Sequence, residues 1–274
     1  MIELPEALTL ARQLSEAVVG KTVRGVLPPT KPHKFCWWSG EPADYAPQLC
    51  GARIVGAKGF GIFVEIEFDN GLSLCVNDGV NVRLIEVANA PKDYQLLIEF
   101  ADATALVLTV AMYGGIVLHR EDYDNTYWQK SRAAMSPFDK AFKAHFVSLL
   151  KSCKPTMSAK AFLATEQRFP GIGNGVVQDV LFAAGIHPKR KLGTLEVDDG
   201  DRLRKCVVSV LRAMVDGGGR DTEKDLFGNA GQYRTQMSKH TVGCGCPTCG
   251  TLIRKEAYMG GSVYYCTTCQ PLGN

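Results

Sequence analysis

The sequence lacks any long apolar run, because no uninterrupted stretch approaches the roughly 18 residues that a membrane-spanning helix requires. It also lacks a basic region leading into an apolar block near its start, so neither a secretion signal nor a transit peptide is predicted. With 46% apolar residues in 274 positions, it does not have the composition of a disordered chain. These absences predict a cytoplasmic protein with no membrane partner and roughly two domains.

A disulfide framework is absent as well, although the chain contains 10 cysteines. Disulfide frameworks are typical of small secreted domains. In this chain four cysteines form a spaced set near the C-terminus, and the other six are scattered: Cys36, Cys50, Cys75, Cys153, Cys206 and Cys244. This distribution predicts free thiols and one metal site in a reducing compartment.

The spaced set has the pattern C-x2-C-x16-C-x2-C and consists of Cys246, Cys249, Cys266 and Cys269. Each CxxC pair supplies two thiolates from one tight turn, and the residues between the pairs suffice for an antiparallel hairpin. Four protein ligands leave no open coordination position, so we expect one structural Zn²⁺ and not a catalytic one. Cys244 is either an idle neighbour of this set or a competing ligand.

Charge is unevenly distributed along the chain. Residues 1–134 carry 12 Lys and Arg against 16 Asp and Glu, whereas the remaining residues carry 19 against 12. A basic C-terminal half favours a polyanionic partner, since phosphate contacts from Lys and Arg dominate nucleic-acid affinity. A solvated charged face is the other explanation of the same imbalance.

The periodicity of apolar residues changes twice along the chain. It predicts a helix over Pro5–Val19, ended by Gly20, and then short alternating runs from Arg53 to Leu118 that are typical of a β-sandwich or barrel. A helical period returns at Phe138, with helices also predicted over 159–166 and 201–215. The predicted fold class is therefore α+β.

A glycine-rich turn, GIGN, precedes a further apolar helix that should end at Gly185. Asn174 is the predicted N-cap of this helix. Backbone N–H groups and the helix dipole at such a terminus favour an anion, and Gly173 and Asn174 would face it. An ordinary turn and cap is the alternative interpretation.

Three motifs together resemble the formamidopyrimidine-DNA glycosylase and endonuclease VIII family. PGIGNGVVQDVLFAAGIHPKRK is similar to the family's helix-two-turn-helix segment, YYCTTCQ to the end of its zinc hairpin, and MIELPEALTLARQL to its M-P-E-L-P-E opening. The motifs occur in the family's order and cover both ends and the middle of the chain.

The resemblance implies a β-sandwich with a leading helix, a helix-two-turn-helix domain and a zinc hairpin, with DNA held in a cleft. The corresponding ranges are 1–130, 135–220 and 235–274. The expected partner is damaged or abasic duplex DNA. Since the sequence carries no oligomerisation signal, we expect a monomer.

In the family, removal of the first Met exposes a proline amine that forms a Schiff base with the sugar of a damaged nucleotide. An N-terminal amine suits this step because its pKa of about 7.7 to 8 leaves a usable neutral fraction. The resemblance implies catalytic roles for the Met1 or Ile2 amine, for Glu3 as acid or base, and for Lys58 near the active site. It also places Lys58 and Asn174 on the DNA backbone.

The sequence departs from the family in three places. Ile2 replaces the proline, and a bulky second residue usually protects Met1 from removal. Gly261 stands where the family carries a phosphate-binding arginine in the hairpin, for which Lys255 or Arg254 would substitute only in part. The loop that fills the space of an everted base corresponds to VAMYGG, where Met112 or Tyr113 would be the wedge.

Two functions from different classes follow. The preferred hypothesis is a base-excision-repair DNA glycosylase with abasic-site lyase activity through its N-terminal amine. The alternative is a lesion-binding protein without turnover, in which Glu3 only caps the first helix, Lys58 is a solvated strand lysine and Tyr113 belongs to the core. An RNA-binding protein on the same scaffold is disfavoured, because no aromatic-rich stacking stretch is present.

Overall fold

The computed structural model describes residues 1–121 and 123–273, which divide into two compact units. The first unit comprises Met1–Arg132 and Gly217–Gln232, and the second comprises Ala133–Asp216 and the segment that begins at Tyr233. Gly217–Gln232, which follows a long helix of the second unit in the sequence, therefore belongs to the first unit, and we call it the returning segment. Among the described residues, no helix has both the length and the apolar character needed to cross a membrane.

The first unit is a β-sandwich with a leading helix, α1 (Leu4–Ala17). Its strands are β1 (Val23–Leu27), β2 (Cys36–Trp38), β3 (Ile54–Phe60), β4 (Phe63–Phe68), β5 (Ser73–Asn77), β6 (Val80–Glu86), β7 (Leu96–Phe100), β8 (Thr104–Val110) and β9 (Gly114–His119). They form a four-stranded sheet, β1-β7-β8-β6, and a five-stranded sheet, β2-β9-β5-β4-β3. Two separate sheets settle the choice between sandwich and barrel.

The apolar faces of both sheets and of α1 form one core, in which alternate strand residues such as Val64, Ile66 and Leu106 are fully buried. Helix α1 packs against β3 and β4. Gly59 permits this approach, since a Cβ there would lie 2.2 Å from the carbonyl oxygen of Ala7. Leu226, from the returning segment, completes the same core.

The remaining helices are α2 (Tyr45–Leu49), α3 (Thr126–Ala133), α4 (Phe142–Ser152), α5 (Ala159–Ala164), α6 (Asn174–Ala183) and α7 (Val197–Asp216). In the second unit, four phenylalanine rings pack with centroids 5.2 to 6.0 Å apart: Phe142, Phe146, Phe162 and Phe169. Two successive turns, closed by hydrogen bonds from Arg168 N to Thr165 O and from Ile172 N to Phe169 O, join α5 to α6. This is the predicted helix-two-turn-helix arrangement.

Two predicted helix starts are wrong in detail. Helix α4 begins at Phe142 and not at Phe138, because Ser136 and Asp139 accept backbone hydrogen bonds that form a turn there. The N-cap of α6 is Gly173, whose backbone is extended, and Asn174 is the first helical residue. Asn174 therefore does not cap the helix, and its Oδ1 instead accepts a hydrogen bond from Gln178 Nε2 at 3.4 Å.

The C-terminal segment contains the predicted hairpin. Strands β10 (Arg254–Tyr258) and β11 (Gly261–Tyr265) pair antiparallel in continuous register, so that Arg254 lies opposite Tyr265 and Tyr258 opposite Gly261. The reversal between the strands uses two residues with positive φ, Met259 and Gly260. The hairpin spans the interval between the two CxxC pairs.

Candidate functional site

The N-terminal amine is held by a carboxylate from the returning segment. Met1 N lies 2.5 Å from Glu223 Oε2, and the Met1 side chain is 39% exposed. Arg83 also faces this carboxylate: burial lowers the pKa of Arg83, while the charges of Asp225 and Glu223 oppose that shift. The amine is therefore fixed in position while its surroundings stay open to solvent.

Ile2 anchors the start of the chain. Its side chain is buried in the sandwich core, and its backbone N–H donates to the carbonyl oxygen of Asp78 at 2.6 Å. A proline in peptide linkage to Met1 would have no N–H and could not make this bond.

Glu3 is buried at the start of α1, where it is the N-cap. Its backbone N–H donates to Glu6 Oε2 at 3.2 Å, which is the returning half of a capping box. Its carboxylate lies 3.3 Å from Arg220 Nη1. The predicted acid or base is therefore part of a buried ionic group.

Arg220 is the centre of that ionic group and is only 3% exposed. It donates through Nε and Nη2 to the two carboxylate oxygens of Glu6, at 3.0 and 2.7 Å, and through Nη2 to the Met1 carbonyl oxygen at 3.3 Å. Burial alone would lower the pKa of Arg220, but the charges of Glu3 and Glu6 outweigh it and raise the pKa above its usual range. Arg220 thus carries a permanent charge between two buried carboxylates.

A network of backbone bonds connects the N-terminus to the turn that was predicted to fill the space of an everted base. Gly79 N donates to Tyr113 O at 3.0 Å, directly after the Asp78 carbonyl that holds Ile2. Met112, on the same turn, is 62% exposed. Burial and then the charge of Asp78 raise the pKa of Tyr113, whose ring meets Trp37 edge to face. Met112 is the more accessible of the two predicted wedges.

Lys58 lies on β3 and is exposed. Its ammonium is 2.5 Å from Glu67 Oε1, and Lys58 is the register partner of Glu65 on β4. An exposed ion pair of this kind contributes little to stability and is readily exchanged for another anion.

The recess beside the amine is small. It has a volume of about 10 Å³ and is lined by residues that include Met1, Glu6, Arg83 and Glu223. That volume accommodates at most one water molecule. The recess is therefore too small for a sugar-sized group, and the open side of the amine is the exposed side of Met1.

In the second unit, the start of α6 lies against the hairpin. A Cβ on Gly261 would be 3.5 Å from Asn174 Oδ1, an ordinary contact distance. Gln178, which is 1% exposed, donates to Ser262 O at 2.9 Å and accepts from Tyr264 N at 3.2 Å. The Gln178 side chain thus donates one hydrogen bond to the backbone of β11 and accepts one from it, as a neighbouring strand does.

We expect replacement of Gln178 by Ala to lower the free energy of unfolding by about 1 to 3 kcal/mol, because two partly buried backbone groups of β11 lose their partners. Chemical denaturation of the wild type and variant measures this difference. The matched control is Gln129→Ala on the exposed face of α3, which should change it by less than about 0.5 kcal/mol. Equal effects in the two variants would show that the α6 contact contributes nothing specific.

The four spaced cysteines come together, with all four Sγ atoms within 4.8 Å of one another. Cys246 Sγ lies 3.8 Å from Cys269 Sγ, and Cys249 Sγ lies 3.4 Å from Cys266 Sγ. Four Zn–S bonds of about 2.3 Å in a tetrahedron require neighbouring sulfurs about 3.8 Å apart, so this donor set fits the ion. Cys244 is exposed and outside the group, which removes it as a competing ligand.

Lys255 lies on β10, opposite Tyr264, with an exposed side chain. Gly173 and Asn174 lie together at the start of α6. The structure therefore brings three of the predicted DNA-binding residues into the second unit, on α6 and the adjacent hairpin. Lys58, which is also one of the predicted catalytic residues, belongs to the first unit, as do Met1, Ile2 and Glu3.

A second group, Glu65, Cys75 and His119, also has potential metal-binding atoms within 4.8 Å. Glu65 already has protein partners: Trp128 Nε1 donates to it at 2.6 Å, His119 Nε2 lies 3.1 Å away and Arg132 Nη1 lies 3.9 Å away. Burial, with a contribution from Glu65, raises the pKa of Cys75 well above its usual value. These contacts hold the segment after β9 against the five-stranded sheet.

Sequence reasoning missed Arg220 and Glu223. They occur in the charged run RDTEKD after three glycines, a pattern typical of a solvated loop. Their partners on α1 and at Met1 lie more than 200 positions away in the sequence. The charged segment can be recognised in the sequence, but no local sequence pattern shows whether an arginine in such a loop is buried or solvated in the folded protein.

A sandwich that fixes an N-terminal amine, a helix-two-turn-helix unit and a four-cysteine hairpin together define a DNA-glycosylase type of fold. No family model matches the chain. It is 28% identical to the formamidopyrimidine-DNA glycosylases of Exiguobacterium sibiricum (98% of this chain, 99% of that one) and Thermomicrobium roseum (99% and 100%). The crystal structure of Lactococcus lactis Fpg in complex with an abasic site containing DNA superposes with a TM-score of 0.82 at 25% identity, covering 98% of this chain and 99% of that one.

A second Lactococcus lactis Fpg structure, in complex with DNA containing N7-benzyl-Fapy-dG, matches with the same TM-score, identity and coverage. The likeness thus extends over nearly the whole chain in both sequence and structure. The chain therefore resembles the formamidopyrimidine-DNA glycosylases in sequence and shares their fold.

Proposed function

We propose that this protein repairs DNA as a DNA glycosylase with abasic-site lyase activity, acting on damaged or abasic duplex DNA as a single chain. The observation that carries the proposal is the N-terminal amine, fixed 2.5 Å from a carboxylate and open to solvent within the family fold. An amine in this position can attack the sugar carbon of a damaged nucleotide and form a Schiff base. Such a substrate places the protein with the chromosomal DNA.

The nucleophile is the amine of Met1, or of Ile2 if Met1 is removed, with Glu3 assisting as acid or base. Retention of Met1 is supported by the bulk of Ile2. Removal of Met1 would turn that N–H into a charged ammonium group that takes up the Asp78 contact. Lys58 would exchange Glu67 for a DNA phosphate.

In the second unit, Gly173, Asn174 and Lys255 contact the DNA backbone, and Cys246, Cys249, Cys266 and Cys269 hold one structural Zn²⁺. The four-thiolate set fits zinc and has no open position for catalysis. When bound, the ion fixes the geometry of the hairpin. The hairpin's contact with α6 through Gln178 then keeps Lys255 and Asn174 on connected elements.

Restoring the family's arginine should strengthen binding. We expect Gly261→Arg to place a guanidinium next to Asn174, tighten binding to abasic duplex DNA, and steepen the dependence of log affinity on log salt by about 0.9. Fluorescence anisotropy over a salt series measures both. Gly261→Gln, which adds similar length without charge, is the control, and equal slopes for the two variants would contradict a phosphate contact at this position.

One alternative has a specific observation in its favour. The Met1 ammonium is already paired with Glu223, and Gly261 provides no phosphate clamp, so a lesion-binding protein without turnover fits the same contacts. Incubation with two labelled duplexes, one with an abasic site and one with an oxidised purine, separates these functions. Base release and strand incision support the enzyme, whereas tight binding with intact DNA supports the alternative.

A further inference from the structure

We propose that Glu223 is the catalytic carboxylate that carries protons to and from the Met1 nitrogen, and that Arg220 is the positioning residue that holds Met1 beside it. The inference rests on the proposed Schiff-base function and identifies the residues of this chain that serve it. It assigns a role to the returning segment, Gly217–Gln232, which joins the first unit from the far end of the chain.

The first argument is contact with the reacting atom. Glu223 Oε2 lies 2.5 Å from Met1 N, a distance over which a proton passes directly between the two. The Glu223 side chain is 26% exposed and the Met1 side chain 39% exposed, so a sugar and solvent can reach the pair. Proton transfer at this nitrogen therefore needs no rearrangement of the chain.

The second argument is the state of Glu3. It is 3% exposed, and Arg220 Nη1 lies 3.3 Å from its carboxylate. The same guanidinium holds Glu6 through two hydrogen bonds. Both buried carboxylates are thus in contact with Arg220, whereas the carboxylate of Glu223 is in contact with the amine.

The third argument is the position of Met1 itself. Arg220 Nη2 donates to the Met1 carbonyl oxygen at 3.3 Å, while Ile2 N donates to Asp78 O at 2.6 Å. The peptide group that joins Met1 to Ile2 is thus held from both sides. The amine at the end of this short, fixed segment has little freedom to move, which favours covalent attack from one geometry.

Schiff-base formation by the Met1 amine takes up no external proton and releases one water molecule. The Met1 ammonium gives one proton to the Glu223 carboxylate, and the freed nitrogen lone pair attacks C1′ of the ring-opened abasic aldehyde. A nitrogen proton moves to the aldehyde oxygen, giving a carbinolamine. Glu223 then returns its proton to that hydroxyl, which leaves as water as the C=N bond forms. The products are a protonated Schiff base, one water and the Glu223 carboxylate.

Borohydride trapping on abasic-site duplex DNA tests the proposal with the full-length protein. We expect Glu223→Gln to form the reduced adduct at least about 100-fold more slowly than the wild type, the range for loss of an acid–base group, with DNA affinity unchanged. Glu223→Asp should recover part of the rate. Added formate should restore adduct formation by Glu223→Ala, an effect that a merely structural role does not produce. Glu16→Gln, on the exposed face of α1, is the matched control and should trap like the wild type.

The outcomes separate this inference from the function on which it rests. A wild type that forms adduct and a Glu223→Gln variant that matches it within about 3-fold would overturn the role of Glu223 and leave the lyase proposal standing. A wild type that binds abasic DNA but forms no adduct would overturn both. Loss of adduct in Glu223→Gln without any recovery in Glu223→Asp or with formate would reduce Glu223 to a structural anchor and contradict the inference.

Discussion

Replacing Arg220 by Met is expected to lower the free energy of unfolding by about 3 to 5 kcal/mol, because the change leaves two carboxylates buried without their cation. Glu3 and Glu6 are 3% and 5% exposed, and neither can regain water without disrupting the start of α1. Urea denaturation followed by circular dichroism measures the change. The midpoint should move with little change in the slope, since the folded state remains compact.

The sign of the pH dependence follows from the raised pKa of Arg220. A basic group whose pKa is higher in the folded than in the unfolded state contributes stability that is fully present below its unfolded pKa and is lost as the pH rises through the folded pKa; for an arginine both lie far above neutral pH. The contribution of Arg220 should therefore be constant across the whole neutral range. Arg12→Met, which removes an exposed i,i+4 ion pair with Glu16, is the control and should cost less than about 0.5 kcal/mol.

Removal of the metal should have the largest effect on the second unit. We expect Cys266→Ser, or treatment with a strong chelator, to release zinc and unfold the hairpin, since structural zinc contributes about 10 to 16 kcal/mol in isolated zinc fingers. Two of the four residues of the small core here, Cys246 and Cys266, belong to the proposed ligand set, and Met237 and Ile253 are the others. Without the ion this core is too small to keep the strands ordered.

Zinc content and hydrogen exchange of peptides from residues 244–270 measure this effect. In the metal-free protein, the amides of β10 and β11 should exchange rapidly. Cys244→Ser is the matched control, because this thiol lies two positions from a ligand but outside the cluster, and it should retain zinc and protection. Zinc loss in Cys244→Ser, or a protected hairpin in the chelated protein, would argue against four-thiolate ligation.

Much of the fold was predictable because its elements have clear periodicity. Helix α1, the alternating strands after Arg53 and the helices of the second unit all bury one regular face. Strands β1 and β2 were not predicted, since each has only a few residues and they are separated by proline-rich sequence. The sandwich could not be distinguished from a barrel, because strand order depends on contacts between distant parts of the chain.

The cluster of four cysteines was predictable for a different reason. Its members occur as two local pairs, and the spacing alone predicts four thiol groups together on one hairpin. The cap of α6 was misplaced by one residue, since Gly173 and Asn174 are both accepted at a helix start and only the backbone angles decide between them. Local chemistry therefore located these features to within a residue.

The amine site could be predicted only in part. Met1, Ile2 and Glu3 follow from the opening motif, whereas Arg220 and Glu223 come from a segment that no periodic pattern connects to α1. Gln13 fixes that segment, because its side chain donates to Asp225 and accepts from Leu226 N. Nothing in the sequence distinguishes Gln13 or Asp225 from other polar residues. Such pairings depend on the complete fold and have no local signature.

The central claim is that the N-terminal amine of this chain forms a covalent bond with damaged DNA. The most direct measurement is mass spectrometry of the protein after borohydride reduction on abasic-site duplex DNA and proteolysis. The account predicts one modified peptide, with the reduced sugar remnant on the amine of a retained Met1. A modification on a lysine side chain such as Lys58, or none at a protein concentration that saturates the DNA, would contradict it.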